Sequence, residues 1–133
     1  MDNLKRLEDI GFCRVGSWNL VSGEPAFSLV SAASAHNVLY AFVSGYDVLY
    51  VGKTTQPLGR RMYGYQRPGP TQRTNIYVRS QILELLESQC SLDIYALCDN
   101  STRTHGTFTL NLAAGLEDGI IRDLQPLWNK MSK

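Results

Sequence analysis

A chain of 133 residues is long enough to bury one real core and short enough to argue for a single domain. Its apolar runs are only a few residues long, which excludes a membrane-spanning helix, and Met1 to Gly11 carries Lys5, Arg6, Glu8 and Asp9 where a secretory leader would be apolar, so a cytoplasmic protein is expected. The net charge of +1 gives no hint of a polyanionic partner, but its distribution does.

Taken in chain order, Asn3 to Ile10 places Leu4, Leu7 and Ile10 at helical spacing. Phe12 to Val21 and Ala26 to Ser31 flank the turn cluster Ser22-Gly23-Glu24-Pro25 and read as a hairpin. Val38 to Val43 and Val48 to Val51 are β-branched and aromatic, and Ser44-Gly45-Tyr46-Asp47 joins them into a second hairpin. Pro57 suits a first helical turn, and Leu58, Met62 and Tyr65 then share one face, with Arg61 one turn before Tyr65. Pro68-Gly69-Pro70 ends that helix, a polar loop runs to about Asn75, and a second helix buries Val78, Ile82, Leu85 and Leu86. Leu92 to Cys98 alternates as a strand, and the polar stretch Asp99 to Thr109 leads into a short strand at Thr107 to Leu110.

Asn111 is placed to cap a last helix, Leu112 to Leu124, which Pro126 closes. At about 100° per residue, Leu112, Ala113, Leu116, Ile120, Ile121 and Leu124 span roughly half its circumference, and Glu117 falls inside that arc. A carboxylate on an apolar face requires a cation, a metal ion or a hydrogen-bonding partner.

Between Val48 and Leu83 there is no Asp or Glu, whereas Lys53, Arg60, Arg61, Arg67, Arg73 and Arg79 all fall there. That stretch carries +6 and leaves the remainder at −5, an asymmetry that reads as a basic face for a polyanion. Cys13, Cys90 and Cys98 are odd in number and widely spaced, and His36 and His105 have no second ligand at metal spacing, so neither a disulfide frame nor a zinc site is expected. Gly52-Lys53-Thr54 resembles the end of a phosphate-binding loop, but Asp47 stands where that loop needs its first glycine.

Five pieces remain, in order: Val38-Leu39-Tyr40, Tyr50-Val51-Gly52-Lys53-Thr54, Leu58-Gly59-Arg60-Arg61, Glu117 and Leu124-Gln125-Pro126-Leu127-Trp128-Asn129. Together, over about Asn37 to Asn129, they resemble the GIY-YIG nucleases, with valine in place of the first signature's glycine and Tyr65 where the family often has histidine. Asn37-Val38-Leu39-Tyr40-Ala41 is similar to the corresponding run of the small coliphage endonuclease II-like group. The resemblance implies an α+β fold, a small, mainly antiparallel sheet flanked by helices, with residues 1–36 as an N-terminal β-extension and 37–129 as the catalytic core. It further implies a DNA endonuclease that uses Mg²⁺ or Mn²⁺ on double-stranded DNA.

By the same resemblance the catalytic set is Tyr40, Tyr50, Arg61, Tyr65, Glu117 and Asn129, with Glu117 as the metal ligand. Phosphodiester attack places charge on non-bridging oxygens, which a guanidinium fork such as Arg61 clamps better than a point-charge lysine. Asn129 would orient Glu117 or a metal-bound water, and Tyr50 would position the phosphate or the water. Tyr40 is the implied general base, although a phenol near pKa 10 must drop by about three units, roughly 4 kcal/mol, to be half ionised at neutral pH. Arg14, Lys53, Arg60, Arg67, Arg73 and Arg79 are the expected DNA contacts. One site per chain implies a homo-oligomer if both strands are cut. The alternative is a catalytically inactive DNA-binding module of the same fold.

Overall fold

The computed structural model describes residues 2–98 and 103–131 of the chain. Helix α1 (Asn3–Asp9) is capped by Asp2, whose side chain accepts from the Lys5 N–H at 2.7 Å. Strands β1 (Cys13–Val21) and β2 (Glu24–Leu29) form the first hairpin, tighter than its sequence suggests. Ser22 (φ 53°) and Gly23 (φ 79°) alone make the turn, both in the left-handed region that matches strand twist. Pro25 therefore lies inside β2, opposite Leu20, and is tolerated because β2 is an edge strand.

Strands β3 (Val38–Ser44) and β4 (Asp47–Thr54) form the expected second hairpin, and β5 (Leu92–Leu97) pairs with both β1 and β3. The sheet order is β2-β1-β5-β3-β4 with every pair antiparallel, so the N-terminal hairpin is a continuous part of the main sheet. Strand β4 is the other edge. One face of the sheet buries Trp18, Tyr40, Phe42, Tyr50, Ile94 and Ala96 against α2 (Leu58–Gln66) and α3 (Arg73–Glu87). The opposite face buries Leu39, Ala41, Val43, Val51 and Leu97 against α1 and α4 (Leu112–Leu124). Strict alternation along β3 and β5 is what divides the two cores.

Pro57 is the residue before α2 rather than a member of its first turn (φ −53°, ψ 139°). The N–H groups of Leu58 and Gly59 donate to the carbonyls of Ala35 and Ala33 at 2.8 and 2.9 Å, so the segment ahead of β3 satisfies that helix start. Helix α3 begins at Arg73, two residues before the expected loop end. Gln72 Oε1 accepts from the Gly69 N–H at 2.9 Å, folding the Pro-Gly-Pro segment tightly enough for a helix to start at once.

Asn111 caps α4 as expected, accepting from the Ala114 N–H at 3.2 Å. Gln125 ends it in a left-handed conformation (φ 46°), and a further short helix, α5 (Leu127–Met131), follows Pro126. Of the apolar arc of α4 only Ala113 is fully buried; Leu112, Leu116, Ile120, Ile121 and Leu124 are half-buried. The expected strand at Thr107 to Leu110 is β7 (Phe108–Leu110), paired only with β6 (Arg103–His105) in a separate two-stranded hairpin. The start of the polar stretch, residues 99–102, lies outside the described residues. No helix among the described residues is long and apolar enough to cross a membrane.

Candidate active site

Tyr40 and Tyr50 project from β3 and β4 into the same core face, where α2 lays Tyr65 across them. The Tyr40 and Tyr65 hydroxyls are 2.5 Å apart, and Tyr65 Oη donates to Tyr50 Oη at 3.4 Å. The Tyr40 ring fits because position 52 is glycine: a Cβ there would stand 2.7 Å from the Tyr40 oxygen. Arg61, one helical turn ahead of Tyr65, covers the cluster. Its Nε donates to Tyr40 Oη at 3.1 Å, its Nη2 to Tyr65 Oη at 2.7 Å, and its Cζ lies 4.2 Å from the centre of the Tyr65 ring.

The remaining corner of the guanidinium, Nη1, donates to Asn75 Oδ1 at 3.1 Å, and Asn75 Nδ2 donates to Gln72 Oε1 at 3.1 Å. Asn75 is one of two buried polar residues among those described, at a position where the sequence predicts only the end of a polar loop. Its signal was nevertheless present, because it stands three residues before Val78 and so extends the buried stripe of α3 by one turn.

The electrostatics follow from burial. Tyr40 is fully enclosed, and desolvation pushes its hydroxyl up to about 12, with Arg61 pulling in the opposite direction and Tyr50 adding to the rise. Tyr65 is likewise raised well above the ordinary tyrosine value, first by burial and then by Tyr40 and Tyr50. Burial acts to lower Arg61, but the tyrosine oxygens outweigh it and the guanidinium is held more firmly protonated. Both phenols therefore carry their protons at neutral pH, and ionising Tyr40 at pH 7 costs about 7 kcal/mol rather than the 4 kcal/mol of an ordinary phenol.

This arrangement fixes the sign of an alkaline transition. An unfolded tyrosine ionises near pH 10 whereas folded Tyr40 holds its proton to about 12. Its contribution is complete below pH 10 and is lost as pH rises from 10 through 12, by up to about 3 kcal/mol. Urea unfolding against pH should show a steep alkaline loss that flattens in Tyr40→Phe.

Glu117 approaches from the other side of β4. It is half-buried on α4, with its carboxylate near enough to Lys53 to feel both that residue's ammonium and its backbone amide. Burial raises its pKa, the Lys53 ammonium and amide act to lower it, and Asp118 adds to the rise. Lys53 is the junction of the two halves, because it also lines a cleft of about 560 Å³ with Arg60, Arg61, Arg67, Gln72 and Asn75. None of the residues lining that cleft is acidic. A larger hollow of about 790 Å³ between α4 and α5 mixes Asp118 with Arg122 and Lys130 and contains none of the tyrosines.

The other expected positions fall in distinct places. Asn129, on α5, grips the edge of β4: its Nδ2 donates to the Val51 carbonyl at 2.8 Å and its Oδ1 accepts from the Val51 N–H at 2.9 Å. That pair secures the strand carrying Tyr50, Gly52 and Lys53. Arg73 is exposed at the start of α3, beside Gln72. Arg14 and Arg79 do not join the cleft. Arg14 Nε is 3.0 Å from Asp93 on the α1 side of the sheet, and Arg79 bonds the Gln66 carbonyl at 3.2 Å and Glu24 at 3.0 Å, tying α3 to α2 and β2.

No protein-family model and no curated protein matches the sequence. Among solved structures, a mutant of bacteriophage T4 EndoII superposes with a TM-score of 0.72 at 21% identity, covering 97% of this chain and 98% of that one. The restriction endonuclease HPY188I in complex with product DNA superposes with a TM-score of 0.56 at 16% identity, covering 92% of this chain and 79% of that one. The five-stranded antiparallel sheet flanked by helices, with Tyr40 and Tyr50 on adjacent strands and Arg61 on the helix that follows, is a GIY-YIG endonuclease-like fold.

Proposed function

We propose that the chain is a Mg²⁺-dependent endonuclease acting on double-stranded DNA, with Mn²⁺ able to substitute. The observation that carries this reading is the meeting at Lys53 of two groups delivered from opposite sides of β4. One is the Arg61-capped tyrosine cluster and the other is Glu117. The acid-free cleft they border complements a phosphate backbone, with Lys53, Arg60 and Arg67 along it and Arg73 beside it.

The donor set suits Mg²⁺. Among the described residues no group of three or more His, Cys, Asp or Glu side chains could cage a metal, and Mg²⁺ is commonly held by one or two carboxylates together with substrate phosphate. Glu117 would hold it, and when bound it would supply charge neutralisation at the phosphate and the leaving oxygen. Arg61 keeps its guanidinium beside the cleft and clamps the non-bridging oxygens. Tyr65 and Asn75 fix that guanidinium in place, so little reorganisation is needed as charge develops. Tyr40 accepts the nucleophile's proton only in its ionised form, so cleavage should speed up with pH across the range in which Tyr40 is still protonated.

Supercoiled plasmid incubated with Mg²⁺ and with EDTA tests the proposal: metal-dependent nicking or linearisation supports it, and absence of cutting by folded protein with either Mg²⁺ or Mn²⁺ overturns it. Because one chain carries one such site, cutting of both strands would use a homo-oligomer. A monomer by light scattering, free and DNA-bound, would leave a nicking enzyme.

A further inference from the structure

Helix α2 turns Leu58, Met62 and Tyr65 into the core and leaves its opposite face to the basic cleft. At about 100° per residue, Arg60 and Tyr63 stand on that opposite face, and Arg67, the residue that ends the helix, follows one turn after Tyr63. All three line the cleft and are exposed, Tyr63 at 55%. Gly64, beside Arg61, lines it as well and leaves the way from the guanidinium to that face open. Among the described residues neither Arg60 nor Arg67 is paired with a carboxylate. The Tyr63 ring packs on neither core, and its hydroxyl has no hydrogen-bond partner among those residues.

An aromatic ring between two unpaired arginines meets a nucleic acid in two ways. The arginines take phosphates, whereas the ring cannot, because its π-face is negative and repels their oxygens. The part of a polynucleotide that suits that face is the flat face of a base. In an intact duplex each base face is covered by its neighbours, so only a base that has left the stack can reach the ring. The size of the cleft agrees: about 560 Å³ is of the order that encloses one small molecule, room for a nucleotide and its backbone but not for a duplex. We propose that Tyr63 is a stacking platform for one unstacked nucleobase, and that the cleft takes duplex DNA with a locally unpaired nucleotide in preference to fully paired DNA. The proposal rests on the DNA-endonuclease reading and names the state of the substrate at that same site. Grooves that hold unpaired strands combine backbone-tracking cations with aromatic platforms in this way.

The test is binding of wild type, Tyr63→Phe and Tyr63→Ala to a fully paired duplex and to the same duplex with one unpaired nucleotide bulged from its centre, in EDTA so that the DNA stays intact. Tyr63 packs on neither core, so both variants should show wild-type thermal unfolding. Wild type should bind the bulged duplex about tenfold more tightly than the paired one, because its odd base is already out of the stack. Tyr63→Ala should lose about tenfold on the bulged duplex, and the preference with it, whereas Tyr63→Phe should keep both. The salt slope of binding should be the same in all three proteins, because the phosphate contacts are kept. Equal binding of the two duplexes by wild type, or an unchanged preference in Tyr63→Ala, would overturn the platform alone. Equal losses in Tyr63→Phe and Tyr63→Ala would also overturn it, in favour of a phosphate contact through the hydroxyl. Failure of wild type to bind either duplex would remove the endonuclease reading along with it.

Discussion

Glu117→Ala is expected to lower DNA cleavage by about 10³-fold or more while leaving duplex binding near the wild-type level. The asymmetry follows from where the carboxylate sits. It faces the Lys53 amide at the edge of the cleft, so its removal takes away the proposed metal ligand, whereas Lys53, Arg60, Arg61 and Arg67 still line the phosphate path. Loss of a negative charge beside that path would, if anything, strengthen non-specific binding at low salt. Stability should change little, because burial already disfavours the charged form of Glu117. Plasmid cleavage and duplex anisotropy on the same preparation measure both quantities. Unchanged cleavage by a folded variant would place the chemistry elsewhere, and a wild type that binds without cutting would identify a DNA-binding module.

The parts of this site that sequence could deliver are those encoded over short spans. Tyr40, Tyr50 and Arg61 lie within one hairpin and the helix after it, so strand alternation and helical spacing already place all three on one face. Strand order was not legible. Nothing local states that β5 enters between β1 and β3, or that the N-terminal hairpin therefore extends the same sheet. Arg14 and Arg79 looked like free cations for a similar reason. Their acidic partners, Asp93 and Glu24, are distant in sequence and are brought near only by the β1–β5 pairing and by the packing of α3 on β2. The ionisation state of Tyr40 also depends on burial, and a pattern of apolar neighbours gives its sense but not its depth.

Arg61→Lys is expected to reduce the cleavage rate about 10²-fold or more despite keeping the positive charge. The guanidinium meets Tyr40, Tyr65 and Asn75 through three different nitrogens, and it stacks over the Tyr65 ring. A single ammonium cannot reach all three oxygens at once, so its position relative to the phosphate would no longer be fixed. Tyr40 and Tyr65 would stay paired to each other, which limits the stability cost to about 1–3 kcal/mol, mostly from an Asn75 Oδ1 left without its donor. Asn75→Ala isolates that positioning role, since it removes one corner of the support and leaves the charge and the two tyrosine contacts in place. It should give an intermediate rate, with DNA affinity close to wild type. The kinetic split is decisive: an Arg61 that only bound DNA would raise KM at constant kcat, whereas one that stabilises developing charge lowers kcat and kcat/KM together. Full kcat in Arg61→Lys would reduce this residue to a phosphate anchor and leave Asn75 with only a structural task.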